Sequence, residues 1–283
     1  MLTSKEIKEL LDKSYESRIK VLKMTRNSST HLGGAMSCLD ILTVLYNKIL
    51  NINPNDPKWE RRDRFLLSAG HKGVALYVTL QDMGYFEEEI LWRYCHLNSE
   101  IGDHPNEKLL PGIEFPTGSL GHGLAAGSGM AIAAKIDKKS YRIFVLLGDG
   151  ECDEGTVWEA AMAAAHHKLD NLTAIVDRNG LQVNGRTEEV MNTAVLEEKF
   201  SSFGWAVKTI NGHDYNQIYD SLIEVPYKKD KPSCIIADTI KSKGITFAED
   251  DYLSHNCKWN NEKIEEAISV VKKNKERELS AIE

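Results

Sequence analysis

An aspartate between two glycines, Gly148-Asp149-Gly150, directly follows the apolar run of residues 143–147. Glycines permit a tight turn where a buried strand ends. Four acidic residues fall within the short stretch from Asp149 to Glu154, both of these included. This concentration of negative charge favours a bound cation, or a cation that itself binds an anionic ligand. Alone, such a tripeptide is most often an ordinary turn, so the site needs a second residue.

Asn179 supplies that residue, because it follows the next apolar run, "LTAIVD", thirty residues after Asp149. One strand, one helix and the next strand need about that length, and ligands of open α/β sheets bind at the carboxyl ends of strands. Carboxylate and amide oxygens suit Mg²⁺ or Ca²⁺ better than zinc. A helix from about Gly155 would favour a phosphate at its N-terminus. The pair therefore predicts a hard cation bridged to a phosphate.

The elements that must position these residues alternate along the chain. Apolar residues at helical spacing predict a helix over 4–26, an interruption at Gly33-Gly34, and a second helix over 35–50. Short strands are predicted at "RFLLSAGH", 141–147, "LTAIVD", "WAVKTI" and "SCIIADTI", with helical stretches between them. This alternation predicts an α/β fold, a parallel sheet with helices on both faces. We expect a single domain over residues 1–283, with a charged surface helix from about 262.

Composition excludes several classes of protein. The hydrophobic fraction is 42%, the charged fraction 27% and the formal net charge −7, so a soluble globular protein is expected and nucleic acid is not a predicted partner. Neither a signal peptide nor the roughly 20 apolar residues of a membrane span is found. The five cysteines are scattered, which favours buried free thiols and a cytoplasmic location.

The stretch from "GDGECDEG" to "DRNGLQ" resembles the thiamine diphosphate motif, and "EGTVWEAA" and "LDNLTAIVDRNGLQ" resemble the transketolase family. The resemblance continues in order through "THLGG", "DRFLLSAGHKGVALY", "DHPN", "TGSLGHGLAAGSGMA", "GWAVKTINGHD" and "TIKSKGITFAEDD". It implies the thiamine diphosphate-binding fold. It also implies the amino-terminal subunit of a split transketolase, which binds the diphosphate of thiamine diphosphate.

The same resemblance implies roles for particular residues. Asp149, Asn179 and the main-chain carbonyl of Leu181 correspond to the family's ligands for Mg²⁺ or Ca²⁺. Glu154 corresponds to an acidic residue at the interface with the partner's catalytic glutamate, whereas Glu151 and Asp153 have no assigned role and are expected to be solvated. The implied cofactor-binding residues are His71, Gly118, Leu120, Gly148, Asp149, Gly150, Glu154 and Asn179.

Four histidines stand at family positions. The resemblance implies that His31, His104 and His255 surround the hydroxyls of the substrate as catalytic residues, and that His71 lies near the diphosphate. Imidazole can donate or accept a proton near neutral pH and can hydrogen-bond a sugar hydroxyl. Any one of these histidines, taken without the others, would be interpreted as a surface or capping residue.

The implied activity is transfer of a two-carbon ketol unit from a ketose phosphate to an aldose phosphate. The implied partner is a C-terminal transketolase subunit that carries the pyrimidine-binding domain and the catalytic glutamate, in a heterotetramer. In place of the WHG-like triplet of split transketolases the chain has Ser254-His255-Asn256. This departure favours, as one alternative, a relative of a specialised pathway with another donor or acceptor. Two further possibilities are another split enzyme, such as a 2-oxoacid dehydrogenase E1, and a non-catalytic α/β binding protein.

Overall fold

The computed structural model of the chain describes residues 1–26, 28–192 and 195–282. Its α-helices are α1 (Ser4–Met24), α2 (Leu32–Val44), α3 (Gly73–Asp82), α4 (His122–Ile136), α5 (Gly155–His166), α6 (Thr187–Val190), α7 (Leu196–Ser202), α8 (Tyr215–Ile223) and α9 (Asn261–Ser280). Its strands are β1 (Arg64–Leu67), β2 (Ile143–Gly148), β3 (Leu172–Arg178), β4 (Leu181–Gln182), β5 (Gly185–Arg186), β6 (Ala206–Asn211) and β7 (Ser233–Asp238).

Five strands form one parallel sheet in the order β1-β2-β3-β7-β6. Strands β4 and β5 make a separate antiparallel pair just after β3. Alternate residues of each central strand enter different hydrophobic clusters, as the two-residue repeat of a strand requires. Leu146 and Ile175 pack with α1, α2 and α3, whereas Val145 and Val176 pack with α4 and α5. Helices therefore cover both faces of the sheet, and the predicted fold class is confirmed.

The predicted interruption at Gly33-Gly34 is wrong, because α2 begins at Leu32 and includes both glycines. These glycines do not interrupt the helix; they allow other side chains to approach its backbone closely. A Cβ atom on Gly33 would lie 2.7 Å from Ser254 Oγ and 2.8 Å from Lys241 Cγ, and one on Gly34 would lie 3.2 Å from Lys72 Cε. The start of α2 thus leaves room for two buried lysine side chains.

The charged helix near the C-terminus is partly buried. Helix α9 begins after Asn260, whose side chain accepts a hydrogen bond from the Lys263 amide at 2.9 Å, and it packs against α1. Ile264, Ile268 and Val271 enter the core, while the charged residues between them face solvent. The predicted charged, weakly amphipathic helix from about 262 is therefore confirmed, with its apolar face packed on the core.

The five cysteines are free thiols. Cys38, Cys152 and Cys234 are buried, Cys257 is partly buried, and Cys95 is exposed, so the prediction of buried thiols fails at Cys95. Among the described residues, no helix combines the length and the apolar character needed to cross a bilayer.

Candidate active site

The candidate active site lies where the carboxyl ends of four parallel strands meet. Strands β1, β2, β3 and β7 lead into the segments that carry His71, Asp149, Asn179 and Lys241, respectively. Gly148 and Asp177 are register partners in β2 and β3, so the two strands end at the same level. A cavity of about 310 Å³ opens there. Its lining includes most of the predicted site residues: His31, His71, His104, Gly118, Leu120, Gly148, Asp149, Gly150, Asn179, Leu181 and His255.

Glu154 is the predicted site residue that this cavity lining does not include. It precedes α5 as its N-cap residue and is exposed. Its location suits contact with another protein chain better than contact with a ligand inside this cavity.

Asp149 is buried at the end of β2, and its carboxylate holds the loop after β3. One oxygen, Oδ1, accepts from the Gly150 amide at 3.0 Å, and the other, Oδ2, accepts from the Gly180 amide at 2.7 Å and from Thr187 Oγ1 at 3.2 Å. Gly180 has a φ of 73°, a backbone conformation that glycine adopts at little cost. Burial, followed by the negative charge of Asp177, raises the pKa of Asp149, and a nearby cation would oppose that shift.

The oxygen atoms at this end of the cavity fit a hard divalent cation. Asp149 supplies a carboxylate, Asn179 a buried side-chain amide, and Leu181 a main-chain carbonyl that already accepts from the Lys241 ammonium at 3.1 Å. Within the described ranges, no group of three or more His, Cys, Asp or Glu side chains could hold a metal ion. The possible ligands are therefore all oxygen atoms, and only one of them belongs to a carboxylate. Such a set suits Mg²⁺ or Ca²⁺, and a bound anion would supply the rest of the negative charge.

Four histidines from distant parts of the chain converge in the same cavity. The ring centroid of His31 lies 5.2 Å from that of His71, 6.2 Å from that of His104 and 5.4 Å from that of His255. The centroids of His71 and His255 are 5.5 Å apart. The structure thus brings together the four predicted histidines, although long core-forming segments separate them in the sequence.

Two buried lysines in the cavity wall were missed by sequence reasoning. Lys72 and Lys241 are each 1% exposed. The sequence held a weak signal for each: Lys72 is a charge within the apolar stretch "GHKGVALY", and Lys241 follows the end of β7. A lysine flanked by apolar residues more often extends to solvent than into a core, so neither signal was decisive.

Lys72 is paired with Asp177, a fully buried residue near the end of β3, at 2.6 Å. Asp177 also accepts hydrogen bonds from Ser37 Oγ at 2.6 Å and from Thr239 Oγ1. Burial alone would lower the pKa of Lys72, but the Asp177 carboxylate outweighs it and raises the pKa. Lys72 therefore carries a fixed positive charge in the cavity wall beside Gly148, about where the sequence predicts an anion.

Three other basic groups of the cavity have lowered pKa values, which leaves His71 and His255 neutral near pH 7 and Lys241 largely protonated. Burial, and then the charge of Lys72, lower the pKa of His71 to about 2 and that of Lys241 to about 8. Burial, and then the charge of Lys241, lower the pKa of His255 to about 3. An anion in the cavity would offset the repulsion among these groups, so the electrostatic environment favours an anionic ligand.

The expectation that Glu151 is solvated is wrong. Its carboxylate is 3% exposed and accepts from the Gly148 amide at 3.1 Å, the Gly121 amide at 2.7 Å and the Ser68 hydroxyl. These hydrogen bonds connect the ends of β1 and β2 to the loop before α4. Asp153 is partly buried and accepts from Gln182 Nε2 at 2.6 Å, so it too has a structural contact.

The loop around His255 is anchored by the residue that departs from the family triplet. Ser254 is buried, and its hydroxyl donates to the Asp251 carbonyl at 2.6 Å and accepts from Ser242 Oγ at 2.7 Å. His255 Nδ1 lies 3.0 Å from Lys241 Nζ. The histidine consequently reaches the cavity although its neighbours in sequence have changed.

Comparison with known proteins gives the family. The sequence profile described as "Transketolase, thiamine diphosphate binding domain" matches residues 12–277. An apulose-4-phosphate transketolase subunit of Phocaeicola vulgatus is 44% identical over 85% of this chain and 85% of its own length. The 6-deoxy-6-sulfo-D-fructose transketolase subunit SqwG of a Clostridium species is 40% identical over 86% of this chain and 88% of its own length.

The fold agrees with that result. The crystal structure of transketolase from Campylobacter jejuni superposes with a TM-score of 0.87 at 32% identity. The match covers 96% of this chain but only 43% of the Campylobacter chain, so the chain spans less than half of that protein. The family predicted from the sequence is confirmed: the chain belongs to the transketolase family, as a thiamine diphosphate-binding amino-terminal subunit of the split, ketol-transferring type.

Proposed function

We propose that the chain, with a C-terminal subunit, transfers a two-carbon ketol unit from a ketose to an aldose and depends on thiamine diphosphate and Mg²⁺ or Ca²⁺. The observation that carries the proposal is one cavity that is lined both by oxygen ligands suited to a hard cation and by four histidines. The cofactor, when bound, supplies the carbon–carbon bond chemistry. The protein's task is to hold it, orient the sugar and move protons.

The chain's own residues divide between two tasks. Asp149, Asn179 and the Leu181 carbonyl would hold the metal, and Lys72 and His71 lie on the side suited to the diphosphate. His31 and His104 stand at the cavity edge, with side-chain exposures of 18% and 41%. From there they can reach the hydroxyls of a sugar and accept or donate a proton.

The site as formed by this chain is open on one side. Gly118 and His104 of the cavity lining are exposed. Two apolar side chains are exposed as well: Val183 of the cavity lining, at 59%, and Leu253, two residues before His255, at 68%. Apolar residues around an open cavity favour contact with another protein surface. They support a partner subunit that closes the site and brings the catalytic glutamate, in an assembly that we propose to be a heterotetramer in the cytoplasm.

The substrates that we favour are specialised sugars that carry an anionic group. The names of the Phocaeicola and Clostridium relatives specify a sugar phosphate and a sulfo sugar, respectively. The altered residues Ser254 and Asn256 flank His255 of the cavity lining, so their identity would affect how that histidine meets the substrate. A phosphate-bearing or sulfonate-bearing ketose is therefore the proposed donor class.

The decisive experiment is reconstitution. Purified chain, purified C-terminal subunit, thiamine diphosphate and Mg²⁺ are mixed with ketose phosphates, sulfonated ketoses and pyruvate, each with an aldose acceptor. We expect ketol transfer from at least one ketose in the mixture and none when the two polypeptides are assayed separately. Turnover by this chain without its partner would contradict the divided site. Turnover of pyruvate in place of ketoses would favour a 2-oxoacid dehydrogenase.

Two histidine variants separate binding from substrate chemistry. We expect His104→Ala to lower kcat/KM about a hundredfold, the usual scale for one positioned proton-transfer group, and to leave cofactor affinity unchanged. We expect His71→Ala to raise the Kd for thiamine diphosphate and to recover part of its activity at high cofactor. Titrations of cofactor and of substrate on the reconstituted variants measure both effects.

The control is His96→Ala, because His96 is exposed and lies outside the cavity lining. It should behave as the unmodified protein in both titrations. A shared cofactor-dependent defect in His104→Ala and His71→Ala would show that the division of roles is wrong, even if ketol transfer is observed.

A further inference from the structure

Asp103 joins two of the histidines that the proposed function uses. Its Oδ2 lies 3.2 Å from His31 Nδ1 and 3.4 Å from His104 Nδ1. Asp103 is adjacent to His104 in sequence, whereas His31 reaches it from the start of α2. One carboxylate therefore lies against the same ring nitrogen, Nδ1, of both side chains.

Buried residues of the protein interior hold Asp103 in place. Its Oδ1 accepts a hydrogen bond from the Tyr94 hydroxyl at 3.0 Å, and that hydroxyl also lies 3.1 Å from Thr30 Oγ1. Tyr94 and Thr30 are buried, at 1% and 3% exposure. Both oxygens of the carboxylate are thus engaged, and its orientation is set by core residues although Asp103 is itself partly exposed.

The chemistry of the groups decides which nitrogen carries the proton. A carboxylate only accepts hydrogen bonds, and a neutral imidazole has one donor nitrogen and one acceptor nitrogen. The nitrogen that faces Asp103 must be the donor, which leaves Nε2 as the acceptor. In the described part of the chain, Nε2 of His31 has no hydrogen-bond partner, so it is available to a ligand in the cavity.

We propose that Asp103 is a positioning residue that holds His31 in the tautomer whose Nε2 can accept a proton from a sugar hydroxyl. The proposal rests on the proposed function for its kinetic consequence. The tautomer itself is a property of this chain alone. The Asp103 carboxylate is not part of the cavity lining and acts through the imidazole of His31.

The test reads the tautomer directly. The chain is labelled with ¹⁵N-histidine, and the ring nitrogens are observed by long-range ¹H–¹⁵N correlation at pH ~8.5, above the usual histidine range. His31 is assigned with His31→Gln. We expect a protonated Nδ1 in the unmodified chain and a shift of the proton towards Nε2 in Asp103→Asn. Nε2 protonation in the unmodified chain would overturn the proposal without the need for any variant.

Kinetics of the reconstituted enzyme provide the second readout. We expect Asp103→Asn to lower kcat/KM about a hundredfold, the low end of the range for one positioned proton-transfer group, with the Kd for thiamine diphosphate unchanged. Asp170→Asn is the matched control, because Asp170 pairs at the surface with Lys135, and it should change neither readout.

The outcomes separate the two claims. If the unmodified enzyme shows no ketol transfer, the proposed function fails, and the ring spectra still decide whether Asp103 sets the tautomer. If Asp103→Asn leaves the spectra unchanged, or leaves kcat/KM unchanged in an active enzyme, the positioning role is refuted.

Discussion

Asp149→Ala is expected to abolish metal-dependent binding of thiamine diphosphate. The substitution removes the one carboxylate of an otherwise neutral set of oxygen ligands, and it leaves the metal and the diphosphate without that anchor. Loss of one partner from a buried charged contact costs about 3–5 kcal/mol. At 1.4 kcal/mol per tenfold, this corresponds to a Kd raised about a thousandfold. Calorimetric titration with cofactor and Mg²⁺, in the presence of the C-terminal subunit, measures the change.

A matched variant distinguishes charge from structure. The Asp149 carboxylate also accepts from Gly180 and Thr187, so alanine could loosen the loop that carries Asn179. Asp149→Asn keeps an acceptor oxygen and removes the charge, and it should lose nearly as much affinity. Without divalent metal, the unmodified chain and both variants should bind the cofactor equally weakly. Unmodified affinity in Asp149→Ala with Mg²⁺ present would show that the metal assignment is wrong.

Lys72→Met is expected to lower the free energy of unfolding by about 3–5 kcal/mol, because it leaves the fully buried Asp177 without its cationic partner. Methionine keeps the length and apolar stem of lysine, so the change measures the lost charge rather than a cavity. Denaturant unfolding of the isolated chain provides the measurement. The control is Lys135→Met, which breaks the surface pair with Asp170 at 2.6 Å and should cost no more than about 1 kcal/mol.

A double variant tests the reason for that loss. If the cost comes from an unpaired carboxylate, Lys72→Met with Asp177→Asn should be more stable than Lys72→Met alone, because the asparagine carries no charge to leave unpaired. Ser37 and Thr239 can still hydrogen-bond the new side chain. A Lys72→Met variant as stable as Lys135→Met would show that the buried pair contributes little to stability.

The charges of the cavity are balanced between the protein and the ligands that it is proposed to hold. Asp149, Glu151 and Asp177 are buried acids at or beside the cavity, and Lys72 compensates for part of their charge. Lys241, His71 and His255 have pKa values lowered by burial and by neighbouring positive charge. A divalent cation and a diphosphate entering together would satisfy both sets of groups, which explains why metal and cofactor are expected to bind cooperatively.

The sequence by itself determined the class of fold and the closeness of Asp149 to Asn179 in one cavity. Apolar runs of strand length that alternate with helical stretches leave few arrangements other than a covered parallel sheet, and the carboxyl ends of parallel strands lie at one edge. Asp149 and Asn179 could therefore be brought together by counting along the chain. The histidines could not be paired in this way, because nothing in their spacing says that they meet; the resemblance to the family named them.

Only the tertiary structure decided which charged residues are buried and what they contact. Glu151 and Asp153 belong to the same acidic stretch as Asp149, yet Glu151 turns inward to hold three backbone and side-chain donors. Lys72 and Asp177 are paired across the sheet, and α2 makes room for them with Gly34, a residue that the sequence pattern marked as a helix break. Burial and pairing of charges depend on partners that are distant in the chain, so local composition and periodicity carry almost no information about them.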